Sequence, residues 1–101
     1  MRSLDPRLGE LIDAAVENPD HAREMVEADA SILNLRTGLG ETALHFLAVE
    51  NYGDGVQTLI DLGADVNVVN DAGRTPLEEA LMISAHRAIE VLRRAGAKEP
   101  G

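Results

Sequence analysis

Three histidines, His21, His45 and His86, are the residues best suited to metal or general-base chemistry, and their spacing speaks against both. Two metal-ligating histidines on a helix stand four residues apart, which puts both rings on one face. No two of these three are that close. Ser84 lies two residues before His86, but side chains at that spacing do not face each other on a helix. Gly38-Leu39-Gly40 and Gly53-Asp54-Gly55 match neither a phosphate-cradling P-loop nor a dinucleotide fingerprint, and both read as turns. The carboxylates of Asp13, Glu17, Glu24, Glu27, Asp61 and Glu90 fall opposite apolar positions, on faces expected to be solvated. The absence of cysteine excludes thiol catalysis, disulfides and cysteine-held zinc. No catalytic residue, metal ligand set or cofactor motif emerges, and the expectation is that the chain is not an enzyme.

Charge and composition say more about what the chain meets. Nine basic and 18 acidic residues leave a net charge of −9, with Lys98 the single lysine. Such a surface is repelled by phosphate backbones, so nucleic acid and anionic membranes are poor partners and a basic protein surface is a good one. The same charge also serves solubility. Hydrophobic residues make up 45% of the chain, yet there is one Phe, one Tyr and no Trp. A core of Leu, Val, Ile and Ala favours closely stacked helices over a sandwich. No run approaches the roughly 18 apolar residues that span a bilayer. Asp5-Pro6 signals a helix start with no apolar leader before it, so a free-standing cytoplasmic protein is expected.

The elements follow from a repeat. Gly40-Glu41-Thr42-Ala43-Leu44 returns 33 residues later as Gly73-Arg74-Thr75-Pro76-Leu77, and Leu59, Gly63 and Ala64 return as Leu92, Gly96 and Ala97. The same step backwards pairs Leu44 with Leu11, Ala48 with Ala15 and Asn67 with Asn34. Thr75, Pro76 and Glu78 form a helix start with a capping box; Thr42 caps likewise in the middle copy, with Ala43 in place of the proline and His45 in place of the glutamate, and Asp5-Pro6 does the same in the first. Second helices are expected over about 20–28, 54–62 and 86–95, the last two ending at left-handed Gly63 and Gly96. An extended stretch and turn follow over 64–73, matched by 32–40. Gly53 and Gly55 fall inside the middle copy's second helix, where each costs about 0.5–1 kcal/mol relative to alanine. That helix is expected to start late, near Gly55 or Val56, and to be the least stable part.

Thr42-Ala43-Leu44-His45-Phe46-Leu47-Ala48 resembles the TPLHLAA signature of ankyrin repeats, and Gly63-Ala64-Asp65-Val66-Asn67 the GADVN segment. Asp71-Ala72-Gly73-Arg74-Thr75-Pro76-Leu77 resembles the DxxGxTPL start, with the Asp one residue out of place. Both blocks recur in phase at the family's 33-residue period. The resemblance implies an all-α solenoid of stacked helix-turn-helix units joined by short β-hairpin-like loops. Its single domain divides into an N-terminal capping repeat (about 5–36), a central repeat (37–69), a C-terminal capping repeat (70–98) and a tail (99–101). For His45 the resemblance implies a structural hydrogen bond between neighbouring loops.

The resemblance also implies a protein-interaction module, whether adaptor, regulator or inhibitor, that binds through the concave face of first helices and loop tips. Carried over by position, the candidates are Val16 and Glu17, Val49 and Glu50, and Met82 and Ile83 on the helices. At the loop tips they are Arg36, Leu39 and Glu41, then Val69, Asp71 and Arg74. Val16, Val49 and Met82 are spaced by 33, so stacking aligns them into one apolar stripe rimmed by Glu17, Glu50 and Glu41. The competing expectation is that these side chains lean into the inter-repeat core. Three functional outcomes remain open: an inhibitor or immunity protein that covers a basic toxin or nuclease site; a module for another protein; or a self-associating or engineered scaffold without a dedicated ligand. The chain is expected to be a monomer or a homodimer.

Overall fold

Each copy starts its first helix with a side chain that satisfies the exposed N–H groups of the first turn. In the computed structural model, which describes residues 5–100, Asp5 accepts from the Arg7 N–H and opens α1 (Pro6–Glu17). Thr42 opens α3 (Ala43–Val49) and Thr75 opens α5 (Pro76–Met82), both through complete capping boxes. His45 stands in for the usual glutamate, its Nδ1 accepting from the Thr42 N–H at 3.2 Å. The second helices are α2 (Pro19–Ala28), α4 (Gly53–Asp61) and α6 (His86–Arg94). Gly63 and Gly96 end α4 and α6 in the left-handed region, at φ 107° and 85°. A short 3₁₀ turn, Ala30–Asn34, takes up the first part of the stretch expected to be extended after α2.

α4 departs from expectation. It starts at Gly53, not late, and both Gly53 and Gly55 are buried inside it. Their role is close approach rather than turn formation. A Cβ on Gly55 would lie 3.1 Å from Leu47 Cδ1 and 3.5 Å from Val16 Cγ2; one on Gly53 would lie 3.3 Å from Arg87 Cβ. Packing of α4 against its neighbours outweighs the propensity penalty.

The first helices stand in a row, α1 against α3 and α3 against α5; α4 contacts α1, α3 and α6. Leu11, Leu44 and Leu77, one per copy, are almost wholly buried, as are Leu59 and Leu92 in the second helices. Burying each contributes about 1.5–3 kcal/mol. Small Ala14, Ala15, Ala22, Ala48, Ala80 and Ala88 fill the remainder and let the helices lie close. The result is a slab 35 × 32 × 18 Å. Among the described residues there is no strand, and no helix long and apolar enough to cross a membrane.

Candidate binding face

The loop tips are built alike. The Thr37 N–H donates to Glu41 O and the Gly40 N–H to Thr37 O; 33 residues on, Asn70 donates to Arg74 O and Gly73 to Asn70 O. Thr37 Oγ1 accepts from the Leu39 and Glu41 N–H groups, and Asn70 Oδ1 from those of Ala72 and Arg74. Asn70 therefore fills the signature's aspartate position, and no drift at Asp71 is needed. The tips also bind each other. Asp71 N–H donates to Leu39 O at 3.1 Å, and Arg36 Nη1 donates to both Gly40 O and Val69 O. Gly40, at φ 77°, permits the first contact, because a Cβ there would lie 2.8 Å from the Asp71 nitrogen. The Arg36 side chain thus has structural work at the tips and Asp71 is held there by its backbone alone, while Leu39 and Val69 stand out into solvent.

On the first helices Val16, Met82 and Ile83 are exposed, by 40%, 62% and 56%, with Glu17 and Glu50 beside them. Val49, the middle member of the stripe, is only partly exposed, which interrupts it. Val16, Glu17 and Glu50 line one groove; Met82 and Arg74 line a separate depression with Glu78 and Leu81. The sequence reading missed both aromatics. Phe46 is 40% exposed and Tyr52 48%, and both line the groove with Val16. Phe46 also closes one side of an adjoining recess of about 430 Å³ between α1 and α3, against Leu8, Gly9 and Ile12, with Thr37 at one end. Phe46 occupies a signature position normally assumed to be core, which hid it.

Glu41 was expected on the acidic rim. Its carboxylate instead turns into the junction between α3 and α5, accepting from Asn70 Nδ2 at 3.0 Å. There it meets Glu79, and carboxylate and ring atoms of Glu41, His45 and Glu79 lie within 4.8 Å of one another. His45 is fully buried, its Nε2 2.9 Å from Arg74 O. That carbonyl can only accept and the Thr42 N–H can only donate, so the neutral ring carries its proton on Nε2. Burial lowers the His45 pKa, the hydrogen bond to Arg74 opposing it. With both ring nitrogens engaged, His45 has no lone pair for a cation, and its loop-bridging role is the one the resemblance implied.

The two glutamates, this close together, are pushed in opposite directions. Burial and the hydrogen bond to Glu41 push Glu79 up to about 7. Burial also raises Glu41, but hydrogen bonds from Glu79 and Asn70 outweigh it and bring it below the usual carboxylate range. Glu79 Oε1 is buried and has no hydrogen-bond partner, which disfavours the charged form of that carboxyl. Sequence showed no such pair, because the partners are 38 residues apart and meet only through stacking.

Three helix pairs stacked on one core, with bonded loop tips along one edge, define a helical-repeat protein. The chain belongs to the ankyrin-repeat family: the family model "Ankyrin repeats (3 copies)" matches residues 11–99. Ankyrin repeats are protein-interaction modules. The chain is similar to neurogenic locus notch homolog protein 1 of Mus musculus, 34% identical over 71 residues and 70% of this chain. It is likewise 32% identical to neurogenic locus notch homolog protein 2 of Homo sapiens over 80 residues and 79% of this chain. It spans only 3% of the length of either relative. Among solved structures it is similar to a chain of "Bd0816 Predatory Endopeptidase from Bdellovibrio bacteriovorus in complex with immunity protein Bd3460". That match has 30% identity and a TM-score of 0.73, covering 83% of this chain and 44% of that one.

Proposed function

We propose that this chain acts as a non-catalytic inhibitor or regulator that binds one basic protein through the face made by α1, α3, α5 and the loop tips. The observation that carries this is the display of Val16, Phe46, Tyr52, Met82, Leu39 and Val69 in solvent, on a molecule with a net charge of −9. Exposed apolar side chains among like charges mark an interface, the apolar groups supplying affinity and the charge supplying encounter rate. The immunity reading is favoured over a generic adaptor by the likeness to a chain from a peptidase–immunity complex. A cytoplasmic location agrees with the cysteine-free sequence.

Capture with the purified chain as bait tests this. One stoichiometric, strongly basic partner is expected, and Val16→Glu with Met82→Glu should abolish its capture while leaving the melting temperature within a few degrees. A spread of weak partners, or capture untouched by the substitutions, would overturn the assignment. Light scattering over a concentration series covers the self-associating scaffold: a dimer that buries this face instead of a partner counts against inhibition.

A further inference from the structure

The two inter-repeat junctions fill the same four positions in opposite ways. At the second junction the polar groups of Glu41, His45 and Glu79 meet, with Asn70 bonded to Glu41 and His45 to Arg74 O. The residues 33 earlier are Leu8, Ile12, Thr37 and Phe46, and they line an open recess of about 430 Å³. The recess runs into a groove of about 310 Å³ through Ile12, Asp13 and Phe46, which line both, and reaches Tyr52. The chain's two aromatic side chains thus stand exposed along one continuous trough, although burying them in the core would be the favoured use of so few aromatics.

The charged residues that line the trough are of one sign, with Arg87 beside its Tyr52 end and Arg7 at its Asp5 end. Asp5, Asp13, Glu17 and Glu50 line it, with no Lys, Arg or His among the lining residues. Asp5 is bound by Arg7, but Asp13, Glu17 and Glu50 take part in no ion pair among the described residues. We propose that the trough between α1 and α3 receives a short basic segment of the partner protein. One bulky apolar anchor seats against Leu8, Ile12 and Phe46, and flanking Arg or Lys residues meet Asp13, Glu17 and Glu50. Arginine suits such a site because it pairs with carboxylates in a bidentate manner and stacks on an aromatic face such as that of Tyr52. The assignment rests on the partner-binding reading of this face and adds where, and by what chemistry, the partner is held.

The test uses the peptide acetyl-Arg-Arg-Leu-Leu-Arg-Arg-amide as probe, with a Ser-Ser version lacking the anchor and a Glu-flanked version lacking the charge. In an amide-proton NMR titration of the whole chain, shifts are expected along α1 and α3, centred on Ile12, Val16 and Phe46, and not on α6. Phe46→Ala and, separately, Glu50→Arg should each weaken the probe about tenfold or more. Both positions are exposed, so the variants should fold, which the same spectra check. Equal binding by all three peptides, shifts spread over the acidic surface, or affinity unchanged in Phe46→Ala would overturn the trough. Shifts at the trough that grow with protein concentration without peptide would assign it to a second copy, also overturning it. If bait capture still yields a basic partner that Phe46→Ala retains, the interaction reading stands and the trough alone falls.

Discussion

Glu79 sits where a single proton decides how well the second junction holds. Its folded pKa, about 7, lies above the ordinary value of 4.5, so between those limits the folded chain binds more protons than the unfolded chain. Its contribution is therefore fully present below about pH 4.5 and is lost as pH rises toward 7. Glu41 has the opposite sign, its pKa being depressed, and weakens the fold only as pH falls below its ordinary 4.5. Buried His45 is also depressed and favours the fold above its ordinary 6.5, losing that as pH falls. Because His45 and Glu79 oppose each other near neutrality, the useful measurement is a difference. Glu79→Gln keeps a donor toward Glu41 at every pH. Relative to this variant, the natural chain should lose about 1 kcal/mol between pH 5 and 8, allowing for solvent screening of a partly exposed group. That is about 4–8 °C in melting temperature for a domain of this size. Parallel melting curves for the two proteins across this range would refute the raised pKa of Glu79.

Helix starts show how far one copy depends on the next. Neither α4 nor α6 has a side-chain cap from its own N-cap residue. For α6, the preceding copy supplies one: Asn51 Oδ1 accepts from the Ala88 N–H at 3.1 Å, with Asn51 in the left-handed region at φ 61°. Asn18, at the equivalent position, instead caps its own α2 through His21 N–H. Asn51→Ala should cost about 2 kcal/mol, about 1 for the cap and about 1 for forcing alanine into that conformation. Asn51→Gly should cost only about the first of these, and urea midpoints separate the two; equal losses would sink this division. Gly55→Ala gains about 1 kcal/mol of helix propensity, but its Cβ presses on fully buried Leu47, so a net loss of about 1 kcal/mol is expected in the same assay. A stabilised Gly55→Ala would mean that the glycine is there for neither packing nor backbone. Thr75, Pro76 and Glu78 act within four residues, so their cap was legible, as was the 33-residue step that aligns Leu11, Leu44 and Leu77. Asn51 on Ala88, Glu41 on Glu79 and Gly55 under Leu47 are contacts between copies or helices, where residue type fits several roles and only the stacked geometry chooses.

At the scale of the molecule, the question is whether three copies unfold as one. No helix pair covers its own apolar face. α3 has α1 on one side and α5 on the other, so its buried Leu44 and Leu47 sit in the middle of the stack. In a long solenoid the ends can melt while the middle persists, since stability is a sum of unit and neighbour terms. Here a whole domain's margin of about 5–15 kcal/mol is spread over two junctions, so losing one leaves too little for the other. Tyr52, the only tyrosine in a chain without tryptophan, lies between α3 and α4 and reports the central copy by fluorescence. Circular dichroism reports α1 to α6 together. Urea transitions by the two probes should coincide, as two-state unfolding requires. Leu92→Ala, which removes a fully buried side chain from α6, should cost about 2–5 kcal/mol and move both transitions together. If the C-terminal copy were an independent unit, the dichroism of this variant would fall first while Tyr52 kept its native signal, and the acidic trough between α1 and α3 would survive on a two-copy remnant. With a coincident shift, a lesion in α6 opens the trough at the far end as well, so binding and global folding have the same midpoint.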